Sequence, residues 1–598
     1  MKHIIITVNS KFKKSEIDSR IYSSFVEHMG RVVYTGIYEP NHPTADKDGF
    51  RQDVLEKVKE LGITMVRYPG GNFVSNYDWK DGVGPKEERP KRLELAWRAV
   101  ETNEVGINEF MRWAKKAGVE PICAVNLGTK GIENAASFLE YCNMPAGTMY
   151  SDMRVKHGVS EPYKVKLWCL GNEMDGDWQI GHKTADEYGR LAEETAKAMK
   201  LIDENIELVV CGSAKSDMPT YPEWEATVLE HVYENVDYLA LHQYYGGQEM
   251  GTADFLAQSV DLDCYIDTVS GVCDYIKAKK RSEKTMYISV DEWGVWAPEG
   301  KVAHPEIEEK PWQIAPHLSE QVYTMEDSLL FASMLMSFVR HSDRVKVACQ
   351  SLLTNISATI MTEKGGEVWV QPVFYPFSYM SKYARGTVME EVYEGPSYDC
   401  SIAKNVPYVD TVTVYNEELG EIAIFAVNRA EETVSVSEEL QGFVLEEIAE
   451  QLYMTSGNRK DTNLENHDKI KPYEINKIAG LVHILLSESK SERTLTNRAK
   501  FADTGITLLY EELRKKGANP RFMKAKMAGG AHMFNFNNSN NTLTIGEKNV
   551  KVCKETLFKL RIPIISSDVL GSCGRTIIFD TTTNKLKIKS VGKNEKFI

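Results

Sequence analysis

The stretch VKLWCLGNEMDGDWQIGH, residues 165–182, decides the fold. Its first six residues form an apolar run that reads as a buried strand. The backbone then turns at Gly171, and Asn172 and Glu173 take over. A carboxyl group placed where a buried strand runs out has apolar walls on one side and solvent on the other. That setting favours the neutral form a general acid needs. A Glu that caps the next turn or pairs with an Arg is the competing structural role, and the surrounding chain must decide.

Working outward, strand-like and helix-like segments alternate on both sides of this stretch. The strand patterns are 22–29, 64–68, 120–126, 165–170, 206–211, 236–242, 285–290 and 345–352. Helical patterns lie between them, for example 51–61, 107–117, 184–202, 222–233, 262–281 and 325–341. Such alternation implies a parallel sheet, and eight units in one run predict a closed (β/α)8 barrel over 18–371. No G-x-G-x-x-G or P-loop opens a helix here, so nucleotide binding has no support.

A barrel of this kind carries its chemistry at the C-terminal ends of its strands. Those ends read Glu27-His28, then Arg67 through Asn72, then Asn126, Asn172-Glu173, His242 through Tyr245, and Asp291 through Trp296. Glu173 after the fourth strand and Glu292 after the seventh would face each other across the mouth. Paired carboxyls flanking a bond are the equipment of glycoside hydrolysis, one protonating the leaving oxygen and the other attacking or activating water. Trp97, Trp293, Trp296, Tyr244 and Tyr245 offer flat faces of the kind that pack on sugar rings. Trp168, inside a strand, reads as core, and Asp291 as a neighbour that orients.

These residues sit in long segments that resemble the α-L-arabinofuranosidases of glycoside hydrolase family 51. The segments are YSSFVEHMGRVVYTGIYE (22–39), VRYPGGNFVSNYDWKDGVGP (66–85), LAWRAVETNEVGINEF (95–110), VNLGTKG (125–131), the opening stretch, LHQYY (241–245) and DEWGVW (291–296). The resemblance runs from about residue 11 to 473. It implies a retaining double displacement with Glu173 as acid/base and Glu292 as nucleophile. It implies that Glu27, Asn72, Asn172 and Tyr244 hold the furanose hydroxyls, with Trp97 and Trp296 also at the sugar. Arg67 would sit beneath the nucleophile, with His242 as a second supporting residue. No metal and no cofactor is implied. Two positions depart from the family pattern. Leu352 stands where a Gln is usual, with Gln350 two residues earlier as a possible substitute, and Gly294 replaces an Asn. Both are expected to modulate substrate binding.

After residue 371 the pattern changes to short β-rich runs at 411–415, 421–428 and 433–436. They predict an antiparallel, jelly-roll-like β-sandwich built from 372–475 together with 1–17, C-terminally incomplete. Residues 476–598 are different in charge: they hold 22 Lys and Arg against 10 Asp and Glu, leaving 49 against 76 in the rest of a chain whose net charge is −15. The segments LVHILLSES (481–489), KFADTGITLLYEELRKKGA (500–518), AKMAGGAHMF (525–534), the run 545–580 and KLKIKSV (585–591) resemble CheD, the chemoreceptor glutamine deamidase. The expected tail is a small α+β segment lacking its start. The matching His is His483, the family's Cys lies upstream of what is present, Cys573 falls in the wrong part of the pattern, and Cys553 reads as packing. Each piece lacks strands where they meet, so unpaired edges and lower stability are expected at the junction. A sheet running continuously across 471–483 would mark a true composite, and an accident of gene deletion or sequence assembly is the alternative.

The acidic body argues against nucleic acid. The N-terminus lacks a signal-peptide pattern, no window approaches a membrane span, and the ten Cys carry no zinc spacing. The expectation is a cytoplasmic enzyme with reduced thiols that removes terminal α-L-arabinofuranosyl groups from arabino-oligosaccharides. By resemblance it is a homo-oligomer, a hexamer. Two alternatives stay open at this point. One is a chemotaxis-type deamidase or receptor-binding module for which the barrel is a passenger: the missing Cys counts against deamidation, binding without catalysis stays open, and chemoreceptor binding by the tail is not expected. The other is the same barrel acting on a xyloside or glucan.

Overall fold

A computed structural model of the chain describes residues 2–247, 249–296, 305–445, 448–474, 478–489, 498–516, 518, 520, 523–532, 544–580, 585–590 and 595–598. The chain divides into two compact units, Met1–Glu446 with Met454–Lys471, and Glu447–Tyr453 with Pro472–Ile598.

In the first unit, strand β1 (Lys2–Glu16) precedes eight strands that close into a barrel. These are β2 (Ser23–Phe25), β3 (Met65–Tyr68), β4 (Glu120–Val125), β5 (Leu167–Leu170), β6 (Glu207–Cys211), β7 (Tyr238–Tyr245), β8 (Tyr287–Val295) and β9 (Val345–Gln350). Every neighbouring pair is parallel, and β9 closes on β2 through Cys349–Ser23 and Gln350–Ser24. The eight strands expected from the sequence are these eight. Their continuous apolar runs are buried on both faces, as helix-covered parallel strands must be.

The helices follow from their own patterns. In α1 (Gln52–Leu61) the buried positions are Val54, Leu55, Val58 and Leu61, one face at helical spacing, and Gly62 ends it in the left-handed region. The helices α2 (Ala185–Ile202) and α3 (Met325–Arg340) each start with a reciprocal capping box, Thr184 with Glu187 and Thr324 with Asp327. No helix among the described residues is long and apolar enough to cross a membrane.

Two strands run further than the sequence suggests. β7 continues through His242 to Tyr245, and β8 continues through Glu292 to Val295. Register shifts between Ser289 and Glu292 mark a bulge in β8. The residues expected just past these strands therefore lie on their rigid, hydrogen-bonded ends, with Glu292 opposite His242 and Gly294 opposite Tyr244. A bulge re-aims side chains without ending the strand.

The sheet-rich part of the unit holds a five-stranded sheet. Its order is β12 (Glu421–Asn428), β11 (Val409–Asn416), β10 (Thr387–Glu394), β1, β13 (Val434–Gln441). Here β1 pairs antiparallel with β10 and parallel with β13. The parallel pair arises because an N-terminal strand enters between elements from the far end of the sequence.

The second unit holds helices α4 (Ala502–Lys515) and α5 (Ile545–Lys559). Ala502, Ile506, Cys553, Leu557 and Ile562 form its core, so Cys553 is a packing residue. Residues 475–477 lie outside the described residues, and with them the question of a continuous sheet across 471–483.

Candidate active site

Arg67, on β3, lies at the centre of the mouth and is fully buried. Its Nη1 donates to Glu292 Oε1 at 2.7 Å and its Nη2 donates to Asn172 Oδ1 at 2.7 Å. Its Nε lies 3.9 Å from Asp291 Oδ2, and its guanidinium rests 4.7 Å from the centre of the Phe25 ring. One Arg thus orients the carboxyl from β8 and the amide after β5.

The other oxygen of Glu292 accepts from the Tyr244 hydroxyl at 2.8 Å, and Tyr244 also shares a 2.7 Å hydrogen bond with Ser351 Oγ. Burial pushes the Glu292 carboxyl up. The charges of His242 and Arg67, with the Tyr244 and Arg67 hydrogen bonds, outweigh it and hold Glu292 below the usual carboxylate range. Glu292 is therefore an ionised, oriented carboxylate at neutral pH.

Glu173 has a different shell. Its Oε1 lies 3.0 Å from His242 Nδ1, and its Oε2 accepts from Trp178 Nε1 at 2.7 Å. Its backbone is left-handed, at φ 44°, which an L residue adopts at a cost. The turn after Gly171 thereby aims Glu173 into the mouth. His242 Nδ1 is also 3.8 Å from Glu292 Oε2. An oxygen of Glu173, an oxygen of Glu292 and a nitrogen of His242 all lie within 4.8 Å of one another. That spacing would suit a metal ion, but these carboxyl oxygens are already engaged by Arg67, Tyr244, His242 and Trp178.

Glu27 completes the floor. Its Oε1 accepts from the Phe73 backbone N–H at 2.8 Å and from Trp97 Nε1 at 3.0 Å. Burial, then the nearby charge of Glu292, raises its pKa to about 8. Asn172 Nδ2 donates to Asn72 Oδ1 at 3.2 Å, joining the two amides. Trp296 meets Tyr244 edge to face with ring centres 6.1 Å apart. Glu27, Arg67, Asn72, Trp97, Asn172, Glu173, His242, Tyr244, Glu292 and Trp296 thus belong to one connected constellation.

Other sequence candidates fall elsewhere. Trp293 is fully buried against Phe331 and Phe338, and the Tyr245 hydroxyl is turned to Asp261, so neither offers a face to a sugar. His28 lies in its own buried network, 2.9 Å from Glu101 and 3.0 Å from the Tyr68 hydroxyl. Asp291 accepts from Ser289 Oγ, as an orienting neighbour would. Leu352 is buried in the core, and Gln350 commits its amide nitrogen to the Ser357 carbonyl at 3.1 Å. In the second unit His483 is exposed and Cys573 is half-buried.

Four contributors escaped sequence reasoning: Trp178, Ser351, Phe25 and Gly71. A Cβ on Gly71 would meet Glu292 Oε1 at 2.6 Å, Glu27 Oε2 at 3.2 Å and the Phe25 ring at 3.3 Å. The nearest atom is the carboxylate end of Glu292, which must shift on its Arg67 and Tyr244 hydrogen bonds to make room. We expect Gly71→Ala to lower the melting temperature, because the buried Arg67–Glu292 pair is disturbed, and to lower turnover by about 10²-fold, the cost of misplacing a site carboxylate by about 1 Å. Thermal unfolding and steady-state kinetics on an aryl glycoside check both halves.

With this geometry in hand, the relatives are informative. Residues 57–274 match the α-L-arabinofuranosidase 1 domain family and residues 291–484 match the α-L-arabinofuranosidase C-terminal domain family. Residues 485–590 match the CheD chemotactic sensory transduction family. An intracellular exo-α-(1→5)-L-arabinofuranosidase of Acetivibrio thermocellus is 54% identical over 474 residues, covering 79% of this chain and 94% of the relative. A Bacillus subtilis protein of the same description is 53% identical over 473 residues, with the same coverage. A family 51 α-L-arabinofuranosidase structure from Bifidobacterium longum superposes with a TM-score of 0.76 at 41% identity, covering 80% of this chain and 95% of that one.

Proposed function

Because this chain belongs to the α-L-arabinofuranosidases of glycoside hydrolase family 51, we propose that its two facing carboxyls carry a retaining double displacement, with Glu292 as nucleophile and Glu173 as acid/base. The enzyme hydrolyses terminal, non-reducing α-L-arabinofuranosyl groups. In the first step a Glu292 oxygen attacks the anomeric carbon, and the glycosidic bond breaks as the leaving oxygen takes the proton of Glu173. In the second, Glu173 removes a proton from water, which displaces the ester and restores the Glu292 carboxylate. Each inversion reverses the other, so configuration is kept.

The observation that carries this reading is the separation of the carboxyls. An oxygen of one lies within 4.8 Å of an oxygen of the other, an approach that suits a retaining pair, whose carboxyls lie about 5–5.5 Å apart, better than an inverting pair at about 6.5–9.5 Å. Asn172, clamped by Arg67, can bond a sugar hydroxyl beside the reacting carbon, and Glu27, Asn72 and Tyr244 can hold the others. Trp97 and Trp296 supply aromatic faces at the rim. Arabino-oligosaccharides taken up into the cytoplasm are the proposed substrates, supported by the two relatives described as intracellular exo-enzymes. A homo-oligomer, hexameric by family resemblance, belongs to the same proposal. The CheD-like unit is proposed to lack its family's start, and with it the nucleophilic Cys, and so to be catalytically silent; the His read from the sequence as matching, His483, is exposed.

Proton NMR of the first-formed product tests the reading, using p-nitrophenyl α-L-arabinofuranoside beside the β-xyloside and β-glucoside. We expect rapid cleavage of the arabinofuranoside with the α-anomer appearing first. A β-anomer appearing first, or preference for either pyranoside, would overturn it.

A further inference from the structure

The double displacement moves a negative charge through a buried site. Before the first step the charge sits on Glu292 and Glu173 carries a proton. After it Glu292 is a neutral ester and Glu173 is the anion. The number of charges is unchanged, but their place is not, and both carboxyls are buried. Each place needs a counter-charge where solvent cannot supply one.

Arg67 cannot serve both. Its two terminal nitrogens are fixed on Glu292 and Asn172, and its Nε faces Asp291. His242 can, because Nδ1 lies 3.0 Å from Glu173 Oε1 and 3.8 Å from Glu292 Oε2 without moving. It is held on the extended end of β7, opposite Glu292 in the register of β8. We propose that His242 is a charge-compensating positioning residue for both halves of the reaction, its imidazolium serving Glu292 before the glycosyl ester forms and Glu173 after it.

The surroundings suit a lasting cation. Glu292 and Glu173 face the ring directly, Arg67 lies behind Glu292, and Asp175 lies close enough to feel the imidazole's charge. Burial pushes His242 down, and the Glu292 charge with the Glu173 hydrogen bond outweighs it, holding the ring above its ordinary value. The step itself balances without His242 giving up a proton. The Glu173 proton leaves with the aglycone, water later returns one to Glu173, and Nδ1–H donates throughout.

This inference rests on the roles proposed for Glu173 and Glu292. It is tested with His242→Asn, which keeps an N–H near the Nδ1 position but no charge, and with His242→Gln beside it. Without the cation, the acid limb of kcat/KM on p-nitrophenyl α-L-arabinofuranoside should move up by about one to three pH units as Glu292 ionises later. The acid limb of the deglycosylation rate, read from burst kinetics with a 2,4-dinitrophenyl substrate, should move the same way, because the second half of the reaction then lacks its counter-charge. Below each shifted limb the rate should fall about tenfold per pH unit. Lowered activity with both limbs unmoved in a folded variant would assign His242 a merely structural role, and unchanged activity would remove it from the site's chemistry. If Glu292→Ala remains active, the roles themselves fail. If only the His242 limbs stay put, this inference alone does.

Discussion

Glu292→Ala should abolish release of p-nitrophenol from p-nitrophenyl α-L-arabinofuranoside, a loss on the order of 10⁴-fold or more, because the variant has no atom that can attack the anomeric carbon. The substitution also leaves Arg67 and His242 as buried cations short of a partner. Breaking a buried ion pair costs roughly 3–5 kcal/mol, and we expect the low end of that range, because Asp291 remains 3.9 Å from Arg67 Nε and Asn172 still accepts from Nη2. Activity and thermal unfolding therefore fall together in this variant. The isosteric Glu292→Gln, which keeps an acceptor for Arg67, should recover part of the stability and none of the activity. Equal loss of stability in both would show that the Arg67 contact is not what the Ala variant breaks.

Glu173→Ala should fail in a different manner. The first step then depends on how well the aglycone leaves without a proton. Alkyl and sugar aglycones should slow by roughly 10²–10⁴-fold, the usual worth of a positioned general acid. A 2,4-dinitrophenyl aglycone should still leave, and the glycosyl ester should accumulate because no base activates water. Azide, which needs no base, should then restore turnover and yield the α-arabinofuranosyl azide. Uniform loss across all aglycones with no azide rescue would remove Glu173 from the acid/base role. The Trp178 indole, 2.7 Å from Glu173 Oε2, loses its acceptor at a half-exposed contact, and the buried His242 loses its 3.0 Å partner while Glu292 stays 3.8 Å away, so stability should fall, but less than in Glu292→Ala.

The barrel and the carboxyl pair were legible because each is local in sequence. A buried run ending in a Gly turn and a carboxyl, repeated beside seven similar runs, states where the strands are and which ends face the mouth. What the sequence could not show depends on long-range partners. Gly71 is one of forty-one glycines, and its role appears only when Glu292, 221 positions away, is seen 2.6 Å from its missing Cβ. Trp178 lay inside the opening stretch, but nothing local shows that its indole turns back to Glu173. Ser351 was passed over for Leu352 and Gln350 on either side, both of which are buried.

The aromatic residues taken for sugar-binding faces failed for a reason of geometry. Successive side chains of a strand point to opposite faces. Tyr244 and Glu292 point into the mouth, so Tyr245 and Trp293 point away, toward Asp261 and toward Phe331 and Phe338. Taking β7 and β8 to end before these residues removed the alternation that would have separated them. The bulge in β8 explains why Asp291 and Glu292, adjacent in sequence, both approach Arg67.

In the proposed mechanism Glu292 becomes covalently bonded to the sugar. Peptide mass spectrometry of Glu173→Ala, quenched in acid after reaction with 2,4-dinitrophenyl α-L-arabinofuranoside, tests it most directly. We predict one anhydropentose on the peptide containing Glu292, localised to that residue by fragmentation and lost on adding azide. A variant that consumes the substrate with no adduct, or with the pentose on Glu27 or another carboxyl, would contradict the account.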